Sequence, residues 1–195
     1  MAEKTGERKD QILQTLAQML EHPAGEKVTT AALAARIKVS EAALYRHFKG
    51  KAEMFEGLIE FIEQTLFGLI NRITSEEKSG VRQVEGMVAV LLAFAQKNRG
   101  MTRVLIGDAL VNEDSRLQQR INQLHERLEG ALKQALRFGV SQKEIAQEVD
   151  ITAQANLIMS FVTGRWHQFA KSGFKRDPAE LWTKQWRQLM EGVIA

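Results

Sequence analysis

"TTAALAARIKVSEAALYRHFKGK", residues 29–51, decides how the rest of the chain is read. Two short runs, Thr30 to about Ile37 and Glu41 to Phe48, flank Lys38-Val39, so the stretch predicts two helices joined by a tight turn. Leu33, Ala34 and Ile37 on the first helix, Val39 in the turn, and Leu44 and Phe48 on the second fall on faces that meet. Ala34 stands where the helices cross, and a larger side chain there would push them apart. Ser40 is a good N-cap, and Glu41 is well placed on the helix dipole. Lys38 occupies the turn position that usually carries Gly. It must take a left-handed conformation at some cost, or the turn must differ.

Two helices crossing in this way can present the second one to a DNA major groove. Ala42 and Ala43 keep the outer face low, so that backbone and methyl groups can approach base edges. Tyr45, Arg46, His47 and Lys51 gather at the far end, suited to phosphate oxygens. Thr29 and Thr30 head the first helix, where hydroxyls and free N–H groups also fit a phosphate. With Ser40 and Glu41 these form the candidate DNA-binding set. The competing reading is an αα-hairpin of core with a basic rim; the apolar spacing together with a basic and aromatic end favours DNA.

Outward from this stretch the chain reads as all-α. The 195 residues are 44% apolar, with two Pro and no Cys, and the apolar residues recur at helical spacing. Helices are expected over about Thr5–Leu20, Lys51–Ile73, Val81–Lys97, Met101–Val111, Arg116–Phe138, Ala153–Lys171 and Pro178–Val193. With the two short ones this makes about nine. "HPAGE" (22–26) should break the first, "TSEEKSG" (74–80) should be a polar linker, and "NRG" (98–100) a turn. "GVSQKEIAQEVD" (139–150) should be a loop with one short helix. The expected organisation is a DNA-binding module over residues 1–51 and a helical bundle over 52–195.

Absent cysteine removes disulfides, thiolate metal sites and Cys nucleophiles, and suits a reducing compartment. No apolar run approaches the ~20 residues of a membrane span, and the charged N-terminus carries no secretory signal, so a cytoplasmic protein is expected. The net charge of +3 and pI near 9.2 permit nucleic-acid binding. His22, His47, His125 and His167 form no metal-ligand pattern, and no glycine-rich phosphate loop occurs. No metal, cofactor or catalysis is expected. Trp182 and Trp186, one helical turn apart, and the small residues Ala155, Ser160 and Gly164 suit a close helical seam. Phe61 and Phe67 fall off the main apolar stripe of the long helix, which points to exposure.

At "TTAALAARIKVSEAALYRHFKGKAEMFEGLIEFIE" the sequence resembles the TetR family of bacterial DNA-binding dimers, in which "LYRHF" followed by a Lys opening helix four is characteristic. The resemblance implies a three-helix DNA-binding module, a helical bundle, and a homodimer made by the last two helices on a palindromic site. "MFEGLIEFIEQTL", "INRI" and "GMTRVLIGDALVNEDSRLQQRINQLHERLE" extend the likeness to the nucleoid-occlusion branch of that family. That branch implies a nucleoid-associated protein which, when bound to DNA, antagonises assembly of the tubulin-like division protein FtsZ. By position, the FtsZ surface falls on Phe61, Leu69, Val90, Ala93, Lys97 and Asn98. Leu69 stands where that branch would carry Arg, with Arg72 three residues on. The alternative is a conventional repressor released from its operator by a small molecule entering the bundle.

Overall fold

Nine α-helices and one 3₁₀ turn make up the regular structure among the described residues of the computed structural model. The backbone is described over residues 2–22 and 28–195, and side chains over 6–22 and 28–195. The break expected at 22–26 therefore lies, apart from His22, outside the described residues. The helices are α1 (Ala2–Met19), α2 (Thr30–Arg36), α3 (Glu41–Tyr45), α4 (Lys51–Glu76), α5 (Gly80–Lys97), α6 (Arg99–Leu105), α7 (Ser115–Ser141), α8 (Ile151–Lys171) and α9 (Trp182–Leu189); the 3₁₀ turn is Asp108–Leu110.

Residues 1–62 and 98–121 form one compact unit, and residues 63–97 and 122–195 a second. In the first, Ile12, Leu16, Leu33, Leu44, Phe55, Leu58, Val104 and Leu105 are almost wholly buried. The helical stripes of α1, α2, α3, α4 and α6 converge there. Gly100 of α6 is one of the few glycines the packing demands: a Cβ at this position would lie 1.9 Å from the carbonyl oxygen of Ala17. Beside it, the Arg103 guanidinium donates to the carbonyls of Leu20 and His22, both 3.2 Å away, and pairs with Asp108 at 2.7 Å. One cation thus holds the chain where it leaves α1.

In the second unit, α5 and α8 pack around Val84, Leu91, Ala155, Ile158, Val162 and Trp166. The Trp166 indole N–H donates to the Leu91 carbonyl at 3.1 Å, so the large ring is buried without an orphan donor. Glu144 caps the start of α5, accepting from Ser79 Oγ at 3.0 Å and Val81 N at 3.1 Å.

Several boundaries differ from expectation, each for a local reason. "NRG" is not a turn: Asn98 alone interrupts, and Arg99 and Gly100 already belong to α6. That helix ends at Leu105, well before Val111, because Gly107 takes a left-handed φ of 77° and the 3₁₀ turn follows. The linker at 74–80 gives its first three residues to α4. No helix forms between Ser141 and Ile151. There α7 runs on to Ser141, Lys143 turns left-handed at φ 61°, and Ile145 bridges Ile194 in antiparallel fashion. The last helix is shorter than 178–193. Arg165, only 4% exposed, takes the Pro178 and Asp177 carbonyls at 2.8 and 2.6 Å, and residues 178–181 close as turns with i to i+3 bonds, Glu180 N to the Asp177 carbonyl and Trp182 N to the Ala179 carbonyl. Ala155, read as a seam residue, is buried within its own chain, whereas Ser160 and Gly164 are exposed.

Candidate nucleic-acid interface

The α2–α3 pair is built by its caps. Thr29 Oγ1 accepts from Ala32 N at 3.1 Å, and Ser40 Oγ accepts from Ala43 N at 3.3 Å, so each short helix starts on a satisfied donor. Between them Lys38 adopts the left-handed conformation its position requires, with φ 56°. The turn closes through Val39 N donating to the Ala34 carbonyl at 3.0 Å. Ala34 is 3% exposed, as a crossing point demands. The second helix is shorter than expected, ending at Tyr45, but Phe48 stays buried and pins the following turn.

This leaves a defined outer face. Thr29, Ser40, Glu41, Ala42, Tyr45 and Arg46 are exposed, while Thr30, Ala43 and His47 are half-buried. Thr30 Oγ1 donates to Glu41 Oε2 at 2.6 Å, and the Tyr45 hydroxyl lies 3.5 Å from the same Thr30 oxygen. The one carboxylate of α3 is therefore turned towards the head of α2 rather than left as a bare anion on the face. Arg36, Lys38 and Lys49 are also exposed around the pair. A cleft of about 200 Å³ opens beside α3, lined by Ile12, Val39, Leu44 and His47 with Arg8 and Arg46. Arg8 was not among the expected contacts. Its place beside Arg46 arises from α1 packing, which local spacing does not reveal. Within the pair, His47 Nδ1 is buried with no hydrogen-bond partner.

Lys51 differs from the other expected phosphate contacts. It opens α4, is three-quarters buried, and its ammonium pairs with Glu113 and faces the Phe55 ring at 5.7 Å. The two ionic residues are 62 positions apart, and the sequence gives no sign of the pairing.

The residues expected to meet a protein partner occupy α4 and α5 and the junction with α6. On α4, Phe61 is 47% and Leu69 41% exposed. Phe67, the other aromatic read as exposed, is half-buried and stacks under the Arg127 guanidinium at 4.2 Å. On α5, Val90 and Ala93 are half-buried and Lys97 is exposed; the i, i+3, i+7 spacing sets them on one face. Asn98 is half-buried at the start of α6.

Within the second unit a cavity of about 520 Å³ is lined by Phe67, Ile70, Met87, Arg127, Gln134 and Phe138, among others. No group of three His, Asp or Glu capable of holding a metal occurs among the described residues. No helix among them is long and apolar enough to cross a membrane.

Residues 12–58 match the profile described as bacterial regulatory proteins, tetR family, and residues 78–193 match a tetracyclin repressor-like C-terminal domain of SlmA type. The chain is 46% identical over 195 residues to the nucleoid occlusion factor SlmA of Idiomarina loihiensis, covering all of both proteins. It is 45% identical to SlmA of Marinomonas sp., covering all of this chain and 98% of that one. The figure is 49% for SlmA of Alteromonas mediterranea, over 95% of each. Among solved structures, a TetR transcription regulator from Haloarcula marismortui superposes with a TM-score of 0.82 at 14% identity, over 97% of this chain and 100% of that one. The regulator FadR of Bacillus subtilis, in complex with stearoyl-CoA, gives 0.77 at 16% identity, over 93% and 97%. At such identities these two likenesses concern the fold.

Proposed function

We infer the function from one premise: the chain belongs to the TetR family of bacterial DNA-binding regulators, among the SlmA nucleoid occlusion factors. In this reading residues 1–51 carry the DNA contact, and residues 52–195 carry dimerisation and partner or ligand binding. A homodimer sets α3 of each subunit into successive major grooves of a palindromic site, with half-sites about 34 Å apart. Ala42 and Ala43 meet base edges; Thr29, Thr30, Ser40, Tyr45, Arg46, His47 and Lys51 meet the backbone, and Glu41 orients Thr30. Leu157 and Leu181, 51% and 43% exposed near the stacked Phe161 and Trp182 rings, suit the seam between subunits through α8 and α9.

Bound to DNA, the dimer acts on FtsZ and restrains its assembly over the nucleoid. The observation that supports this part is Phe61: an aromatic side chain 47% exposed on α4 can serve as the anchor for a partner's pocket. Leu69, Val90, Ala93, Lys97 and Asn98 complete the proposed contact. Sedimentation of FtsZ polymers, with the protein and a duplex bearing its site, tests the reading. Polymer should fall only when protein and DNA are both present, and unchanged polymer would refute it.

The cavity beside Phe67 and Arg127 favours a second reading, a repressor released by a small molecule. Occupancy across the chromosome separates the two. Many dispersed sites belong to occlusion, and a single site at one promoter to repression.

A further inference from the structure

Lys51 is an odd residue to open a helix. The first turn of α4 exposes unpaired N–H groups and the positive end of the dipole, where a cation is disfavoured by about 0.3–1 kcal/mol. An anion beside the ammonium offsets that penalty. The carboxylate nearest in sequence is already used, since Glu53 accepts from the backbone N–H of Lys49. The anion that holds Lys51 comes instead from Glu113, in the turn between the 3₁₀ helix and α7.

That turn is shaped to deliver it. Asn112 is left-handed at φ 66°, and Glu113 N donates to the Leu110 carbonyl at 3.0 Å. The carboxylate arrives beside the ammonium with both side chains mostly buried, 24% exposed for Lys51 and 20% for Glu113. Arg103, the other cation lining the hollow around this pair, is committed to Asp108.

We propose that Glu113 is an internal stand-in for a DNA phosphate: it holds Lys51 in the free protein and is exchanged for a phosphate oxygen on binding. The inference rests on the reading of Lys51 as a phosphate contact. Glu113 thereby becomes a residue that lowers DNA affinity. Each binding event must first separate the pair, so the net gain from Lys51 is the difference between two anions rather than the full value of one. The turn that carries Glu113 is released when DNA is bound.

The test is fluorescence-anisotropy titration of a mixed-sequence duplex about 30 base pairs long, roughly three helical turns, at several salt concentrations. The full-length protein is compared with Glu113→Gln, Lys51→Ala, the double variant and Arg46→Ala. Glu113→Gln should tighten binding about three- to fivefold, the scale of a part-exposed ion pair removed. Lys51→Ala should weaken binding and flatten the log K against log salt slope by about 0.9. In the Lys51→Ala background the gain from Glu113→Gln should vanish.

An equal gain in both backgrounds would mean that Glu113 acts only through net charge, and overturns the proposal. So does weaker binding by Glu113→Gln, which would make Glu113 a support that orients Lys51. Thermal melts of each variant separate lost affinity from lost fold, and Glu113→Ala supplies a second removal of the carboxylate. If Arg46→Ala weakens binding while Glu113→Gln does not tighten it, the exchange alone fails. If Arg46→Ala also leaves affinity unchanged, the reading of α2–α3 as the DNA contact fails with it.

Discussion

The outer face of α3 and the outer face of α4 solve opposite problems. Along the α2–α3 face the exposed groups are mostly small or polar, and several are held by short local bonds: Thr29 to Ala32, Ser40 to Ala43, Thr30 to Glu41. Nothing apolar and large is left in water there except part of Tyr45. Along α4, Phe61 and Leu69 stand exposed. The first face is set in shape before any ligand arrives, which lowers the entropic cost of docking. The second keeps apolar surface in water, which the proposed reading assigns to a protein partner. Pre-ordered polarity and uncovered apolar area are two different signatures, and the proposed function assigns the first to DNA and the second to a protein partner.

The contrast can be broken from behind. Gly100→Ala would drive a methyl group into the Ala17 carbonyl, costing about 3 kcal/mol or more, since backbone cannot yield as a side chain does. Thermal unfolding followed by circular dichroism should show the loss, and DNA binding should fall although neither face has been touched. A melting temperature equal to that of the unaltered protein would show that α1 and α6 shift apart freely.

Arg46→Ala strikes the first face alone. It should weaken binding on every duplex by about three- to tenfold and flatten the salt dependence by about 0.9 per lost phosphate contact. Ala42→Ser or Ala43→Ser should instead reorder the preferred sequences, read by selection from a random duplex pool. Uniform loss on all DNAs would move these residues from base reading to packing.

Phe61→Ala strikes the second face alone. DNA affinity should stay constant while the FtsZ effect disappears, and stability should change by less than about 1 kcal/mol because half the ring is already in water. A destabilisation of several kcal/mol would make Phe61 a core residue.

Two smaller effects sharpen the picture. Lys38→Gly should stabilise the protein by about 0.5–1 kcal/mol, measured by urea unfolding, because a left-handed residue loses its Cβ penalty. Asp114, at the start of α7, is held by Arg116 side-chain and backbone hydrogen bonds at about 2, well below the usual 3.8. Because the folded value is depressed, its contribution is complete above about 3.8 and is lost as pH falls towards 2. Carboxyl NMR titration should show Asp114 moving back towards 3.8 in Arg116→Ala.

These surfaces were not equally legible. The α2–α3 pair could be read because its determinants lie within a few residues of one another: two caps, a crossing Ala34, and a turn that forces Lys38 left-handed. Phe61 and Phe67 both read as off the stripe, yet only Phe61 is exposed, because Arg127, sixty residues on and on another helix, lies over the Phe67 ring. That Lys51 opens the long helix is legible, but its partner is not, since nothing local points to Glu113. The last helix was overextended for the same reason. Arg165 holds the Asp177 and Pro178 carbonyls in a segment of turns, and only a folded chain brings that guanidinium to them. Local geometry was written in the sequence, and long-range pairing was not.

The fit of Gly100 against Ala17 also bears on how such proteins can be recombined. A hybrid that transplants residues 1–51 onto a foreign bundle would carry the α1 carbonyl but leave behind the glycine that makes room for it. It would also leave behind Arg103, which takes the Leu20 and His22 carbonyls just past α1. The transferable module is therefore discontinuous in sequence: a graft of DNA specificity has to take α6 along, or supply a glycine and an arginine in the recipient to receive the incoming helix.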